Sequence, residues 1–570
     1  MKYPRTSHAS GIALVGALGL ALVLAQSCDD GGSTTSTAAT GGSGTTGKSS
    51  STGKEATSSS TATSTGAFST GASMGPYNDF PSAPVIDGTA PADSATLFGP
   101  AGSGAQSGGP CLTEPEVGSL FPNNWLRPRF AMTPGTGQNL FEIRLHAASQ
   151  VNDLVVYTTN TTWTMPKNLW TDLAVHSADD PITITIRSAA FDGTALTTEP
   201  MLGSTGPFMI APVAAEGSIV YWTTSGGSAL KGFKAGDEGV VTALQPPQVQ
   251  MKTVGGAQVS CIGCHTSTPD GLFAGFVAQG PWGNVLGSVD ATSPGSQPSF
   301  MGAGALAFLG ATGEMGIQTY SKAHWQAGDH VMVTPIGTYA DSKLHWVDLE
   351  AGTQAAASGE IVRVGDPSGV GAPAWTHDGT RIVYVSTNAE ITGRLDNGPA
   401  DLYSVPYNNR AGGAATPIPG ASDPNLEEFY PSISADDTLV AFNRIPTNNN
   451  MYNNPLDELY VIPIGGGTAT RLDANDPPTC SGKTSPGVTN SWPKWAPTAK
   501  TGPKGTYHWL VYSSTRGANG IPQLYITGVL VPTGGGPIES FSSIYLWNQP
   551  AESNHTPAWD VFDIPTVPPQ

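Results

Sequence analysis

The chain has 570 residues, among them 71 Gly and 48 Pro, and only 12% are charged. This composition suits strands and turns and speaks against a helical bundle. The net charge of −19 is spread along the chain rather than gathered in a run, which argues against nucleic-acid binding and for an exported surface.

Lys2 and Arg5, the apolar run from Gly11 to Leu24 and the small residues around Cys28 read as an export signal over residues 1–28. The run is short for a membrane span, and polar sequence follows it. The stretch "LVLAQSC" resembles a bacterial lipobox, which implies that Cys28 is lipidated and anchors the protein to a membrane. Residues 29–75, rich in Ser, Thr and Gly, read as a flexible tether, and 76–116 as an extended segment. With Cys28 assigned to lipid and Cys261 with Cys264 to a motif, Cys111 and Cys480 are left as a candidate disulfide in an oxidising compartment; two buried thiols are the alternative.

Over residues 117–205 the segments "NLFEIRLHA", "NDLVVYTTN" and "PITITIRSA" alternate between apolar and polar positions. With Trp125, Trp163 and Trp170 as core, they predict a small β-sandwich of fibronectin III or immunoglobulin-like form.

From residue 206 to 570 the sequence repeats. Strands beginning at Leu344, Leu402, Leu459 and Leu524 recur about 60 residues apart, and "PAWTHDGTRIVYVS", "PSISADDTLVAFNR" and "PKWAPTAK" precede three of them. A short strand, a turn, a longer strand and a Leu-aromatic strand describe one antiparallel blade. The units resemble the PD40 (WD40-like) repeats of TolB-like β-propellers. Turns at Asp270, Gly328, Asp378, Asp436 and near Thr498, with a last unit starting at His555, predict an all-β chain whose propeller has six blades. The C-terminal strand is expected to pair with strands at about 217–245 and close the ring, leaving no free sheet edge.

The motif Cys261-x-x-Cys264-His265 stands out in this cysteine-poor chain. Aligning Asp270-Gly271 with Asp378-Gly379 puts His265 on Pro373, at the start of an innermost strand. Two thiols and an adjacent imidazole are the donor set of c-type haem attachment, which predicts one haem c bonded to Cys261 and Cys264 with His265 as proximal iron ligand. His555 is the first candidate for the distal ligand, with His324, Met315 or Met301 as alternatives. A zinc site would need Cys111 or Cys480 to join, and a bridged or redox-active dithiol is the remaining chemistry.

Elsewhere, Ser434, Ser513 and Ser514 lack a nucleophile elbow. Glu427-Glu428 and Asp436-Asp437 are sequence neighbours, which on a strand point to opposite faces. The expected function is therefore a membrane-tethered monohaem protein of the periplasm or outer surface, carrying electrons or sensing redox state with an envelope or redox protein as partner. A haem peroxidase would need an open iron position. The rival reading is a non-enzymatic envelope scaffold with its cysteines disulfide-bonded.

Overall fold

The computed structural model describes residues 75–278, 282–389, 398–517 and 519–565. The export signal with Cys28, and the tether up to residue 74, lie outside the described residues.

The N-terminal region is built on a six-stranded sheet beside a separate three-stranded one. Leu140–Ala147, Leu154–Thr158, Ile182–Ala189 and Met201–Ile210 form the antiparallel heart of the larger sheet. Short strands Val85–Asp87 and Leu120–Phe121 add to it in parallel. Alternation puts Phe141, Ile143 and Leu145 into the core. The opposite face also buries Glu142, and that carboxylate is fully engaged: Arg187 donates to both its oxygens at 3.0 and 2.8 Å and Tyr157 Oη donates at 2.9 Å. Two features differ from the sequence expectation. Lys167–His176 is a helix inside a region expected to be built of strands alone, seating Trp170 so that its indole donates to the Trp125 carbonyl at 2.9 Å. The segment expected to be merely extended contributes a strand at Val85–Asp87, another at Cys111–Glu114 and a short helix at Ser94–Phe98.

Beyond residue 217 the chain forms successive antiparallel sheets in sequence order, of three or four strands each except the last, which has six; Val362–Val364 and Gly412–Ala414 add a two-stranded parallel pair. The first strands of these sheets include Ile262–Ser267, Val370–Trp375, Leu426–Ile433 and Asn490–Trp495. The C-terminal strand Asn554–Asp560 pairs antiparallel with Ser218–Thr223, so the end of the chain joins a sheet whose other strands lie more than three hundred residues earlier. The sheets curl into a propeller-like ring, and the N-terminal region shares a core with it. Phe121, Trp125 and Leu126 pack in one cluster with Tyr507, Trp509 and Trp559, and a disulfide joins Cys111 to Cys480.

One local device recurs in the ring. Cys264, Ala372, Tyr430, Trp492 and Thr556 all have left-handed backbone conformations, with φ of 43°, 36°, 52°, 63° and 39°. Each sits where its first strand slips register against its partner. These are β-bulges at equivalent positions, an uncommon conformation for residues other than glycine. In four of them the next residue is proline (Pro373, Pro431, Pro493, Pro557), which has no N–H to lose at a bulge on a strand edge; in the fifth it is His265. Downstream, the turns are tied alike: Thr268, Thr376 and Ser434 hydroxyls donate to Asp270, Asp378 and Asp436, each at 2.6 Å.

Candidate functional site

The bulges divide the axis of the ring. On one side, Cys264, Ala372, Tyr430 and Trp492 meet in a single apolar cluster, with the Tyr430 and Trp492 rings stacked 3.8 Å apart. On the other, the residues just after the bulges line a cavity of about 140 Å³. Its wall comes from 265–267, 317–320, 373–375, 432–433, 494–497 and 558–561, so every first strand of the ring contributes.

This arrangement overturns the haem reading. Cys261 is held in a disulfide, while Cys264 keeps its thiol, so the two do not bridge one another. The disulfide leaves Cys261 no sulfur for a thioether bond. Their side chains also diverge: Cys261 packs in the cluster with Trp222 and Phe276, and Cys264 in the axial plug. Burial pushes the Cys264 thiol up to about 12, far from a reactive thiolate, with only Lys494 pulling the other way. His265 is 4% exposed; its Nε2 lies 3.1 Å from the Val220 carbonyl and is spent on it, and burial brings the imidazole down to about 4. The Cys111–Cys480 disulfide also takes the two cysteines from which a zinc site would have needed a further ligand, and among the described residues no three His, Cys, Asp or Glu side chains are grouped to hold a metal.

The candidate distal ligands are equally occupied. His555 is 1% exposed, pairs through Nε2 with Ser553 Oγ at 2.7 Å and lies against the Trp222 ring. His324 is on the short helix Lys322–Gln326, where Nδ1 pairs with Asp329 at 2.8 Å and the ring packs on Trp375 and Tyr407. Met315 Sδ accepts from the Asn284 amide at 3.4 Å, and Met301 is buried in the cluster that holds Cys261. The sequence brings a haem-like signature to the axis, but the fold uses it as a bulge and its neighbours.

Sequence reasoning passed over Lys494. Two residues after the bulge the first strands carry Thr266, Ala374, Ser432 and Ala558, all small; Lys494 occupies that position in the remaining strand. All five line the cavity. Lys494 makes no hydrogen bond or ion pair among the described residues, and burial lowers its amine to about 8, partly offset by Cys264 and Asp560. Asp560 is the one carboxylate on the wall among the described residues. Burial raises it to about 6, opposed by the Val561 amide, which donates to Oδ1 at 2.8 Å, and by His377, Lys322 and Lys494. His377 lines the cavity with its Nδ1 held 2.8 Å from Asp437. The lysine in a row of small residues was readable once the repeats were aligned; the cavity it faces was not.

No protein-family description matches the chain, and no curated protein resembles it significantly. Among solved structures it is similar to the tricorn protease, at 10% identity and a TM-score of 0.27, over 73% of this chain and 42% of that one. It is similar to a prolyl endopeptidase at 11% identity and a TM-score of 0.30, over 62% of this chain and 40% of that one. An ancestral GH74 enzyme gives 10% identity and a TM-score of 0.34, over 58% and 39%. The chain thus spans less than half the length of each.

Proposed function

We propose that this chain is an exported, non-catalytic binding module of the cell envelope: a six-bladed propeller on a β-sandwich-like base, held at the membrane by its N-terminal segment. Six successive sheets in the ring support the blade count. In the sheet that lacks a regular first strand, the bridges Met315–Ile336 and Thr319–Val333 supply that edge. Export is supported by the N-terminal signal pattern and by the Cys111–Cys480 disulfide, a bond at home in oxidising compartments.

The observation that carries the reading is the consumption of the cysteine motif by the fold. With Cys261 in a disulfide and Cys264 in the axial plug, what the ring offers to a partner is its cavity and rim. Protein exported from a host with haem-maturation machinery is expected to be colourless, with the intact mass of the polypeptide. A Soret band with a mass increase of one haem would overturn the proposal.

A further inference from the structure

We propose that the axial cavity binds the acid group of a polar ligand, a carboxylate or a phosphate, with the Lys494 ammonium as its counter-ion. The inference rests on reading the ring as a binding module and names the chemistry that module takes.

The charges on the wall point to an anion. Lys494 and Lys322 line the cavity against a single carboxylate, that of Asp560, so two ammonium groups face one acid in a protein whose net charge is −19. That carboxylate already accepts from the Val561 amide at 2.8 Å, and neither lysine makes an ion pair or a hydrogen bond among the described residues. The two lysines differ in their access to water. Lys322 is exposed, at the rim, whereas Lys494 is half-buried on an innermost strand. A partly desolvated ammonium without a partner is costly, and an entering anion relieves that cost.

The uncharged part of the wall supplies donors suited to the oxygens of such a group. Thr319 and Ser432 both line the cavity, and each hydroxyl oxygen accepts the amide of the tryptophan on the next first strand, Trp375 at 3.1 Å and Trp495 at 3.3 Å. Neither hydroxyl donates to an acceptor among the described residues, so both O–H groups are left for a ligand. Ammonium and hydroxyl donors together match the acceptor oxygens of a carboxylate or a phosphate, and hydrogen bonds to an ionised acceptor are the strong ones. A cation would meet the two lysines, and a hydrocarbon would leave these donors unanswered.

The titratable groups around Lys494 are Cys264, His265, Tyr320, Lys322, His377 and Asp560. Burial keeps the Cys264 thiol neutral up to about 12, the His265 imidazole neutral down to about 4, and the Tyr320 hydroxyl neutral well above its ordinary range, while Asp560 is ionised above about 6. Raising the pH from 7 to about 9.5 therefore removes the ammonium charge of Lys494, at about 8, and leaves these four as they were.

Sodium acetate and inorganic phosphate, each titrated into the full purified protein at constant ionic strength and followed by calorimetry, test the proposal. Saturable one-to-one binding of at least one of them is expected at pH 7, with the neutral amide acetamide at least tenfold weaker than the anion that binds. Binding of acetate alone supports a carboxylate ligand, binding of phosphate alone a phosphate ligand, and equal binding a site that reads the negative charge. Lys494→Met, with its circular dichroism unchanged, is expected to lose tenfold or more for that anion, and Lys494→Arg to keep most of the affinity. Where the methionine variant does not fold, the unaltered protein near pH 9.5 decides, and its affinity should again fall at least tenfold. Absence of saturation by either anion, acetamide binding as tightly, or indifference to Lys494→Met and to pH would each overturn the proposal. Colourless, folded protein that takes up neither anion refutes the site and leaves the binding module standing; pigmented protein refutes the module.

Discussion

Two of the places where this molecule takes charge out of water treat it in opposite ways. At the junction between the N-terminal region and the ring, Arg516 lies between Glu116 and the carbonyls of Ala474 and Asn475. Its guanidinium also donates to Ser543 Oγ and Asn490 Oδ1, both at 2.9 Å, and to Ser514 Oγ at 3.2 Å, with the Tyr525 ring 5.0 Å beneath. Every donor direction of the planar fork is filled. At the axial cavity, Lys494 has no such set and His265 has a bare Nδ1. A buried charge that is fully satisfied is a structural joint, whereas a partly desolvated one short of partners carries a cost that the neighbouring side chains do not offset.

The sharpest way to break this contrast is to remove the satisfied charge. Arg516→Leu removes the guanidinium from the buried Glu116 carboxylate and leaves Asn490 Oδ1 without the donor it has in the unaltered protein. The expected loss is about 3–5 kcal/mol, read as a lower denaturant midpoint. A loss below about 1 kcal/mol would mean that the joint is not structural. The same junction is held covalently by Cys111–Cys480, 369 residues apart in sequence. Replacing both cysteines by serine is expected to cost about 2–5 kcal/mol, because the bond constrains a very long loop in the unfolded chain. Denaturant unfolding of the double variant against the oxidised protein measures it.

The two regions also differ in how much of them the sequence disclosed. The ring was legible because its units repeat: the Asp-Gly spacing that set His265 on Pro373 holds in the structure, where both follow a left-handed bulge residue. The bulge itself was not legible, since Cys264, Ala372, Tyr430, Trp492 and Thr556 share no chemistry and no glycine marks the turn of the backbone. For the same reason the cysteine motif misled. Five residues encode a donor set but not the plug that buries one thiol or the disulfide that occupies the other. The Arg516–Glu116 joint was invisible because its partners are 400 residues apart and each is an ordinary charged residue in its local sequence. The helix Lys167–His176 was missed because it interrupts a run of alternating strands.

Acid sharpens the comparison from the cavity side. His265 is neutral in the folded protein down to about 4, whereas in the unfolded chain it takes up a proton near 6.5. The unfolded state therefore binds more protons between those values, and stability falls as the pH drops through that window. The full effect below pH 4 is about 3 kcal/mol. Asp560 acts in the opposite sense, since its carboxyl is raised to about 6 and protonates first in the folded state. Comparison with His265→Gln, whose amide does not titrate, isolates the imidazole: the unaltered protein should lose stability relative to the variant between pH 6.5 and 4. Parallel pH profiles would show that the ring is not sealed from water.

The smallest effect is the most specific to the cavity. Removing an unpartnered, partly desolvated ammonium should stabilise a protein, where removing a satisfied one destabilises it. Lys494→Met keeps the length of the side chain and most of its apolar stem, so the expected gain at pH 7 is about 1 kcal/mol, reduced from the full desolvation cost because the amine is still partly exposed to the cavity. The folded amine titrates at about 8 and the unfolded one at 10.5, so the cost in the unaltered protein is fully present below pH 8 and is lifted as the pH rises to 10.5. The variant's advantage should therefore shrink across that window and vanish above it. A variant that is less stable than the unaltered protein would place Lys494 with Arg516, as a charge the fold has already satisfied.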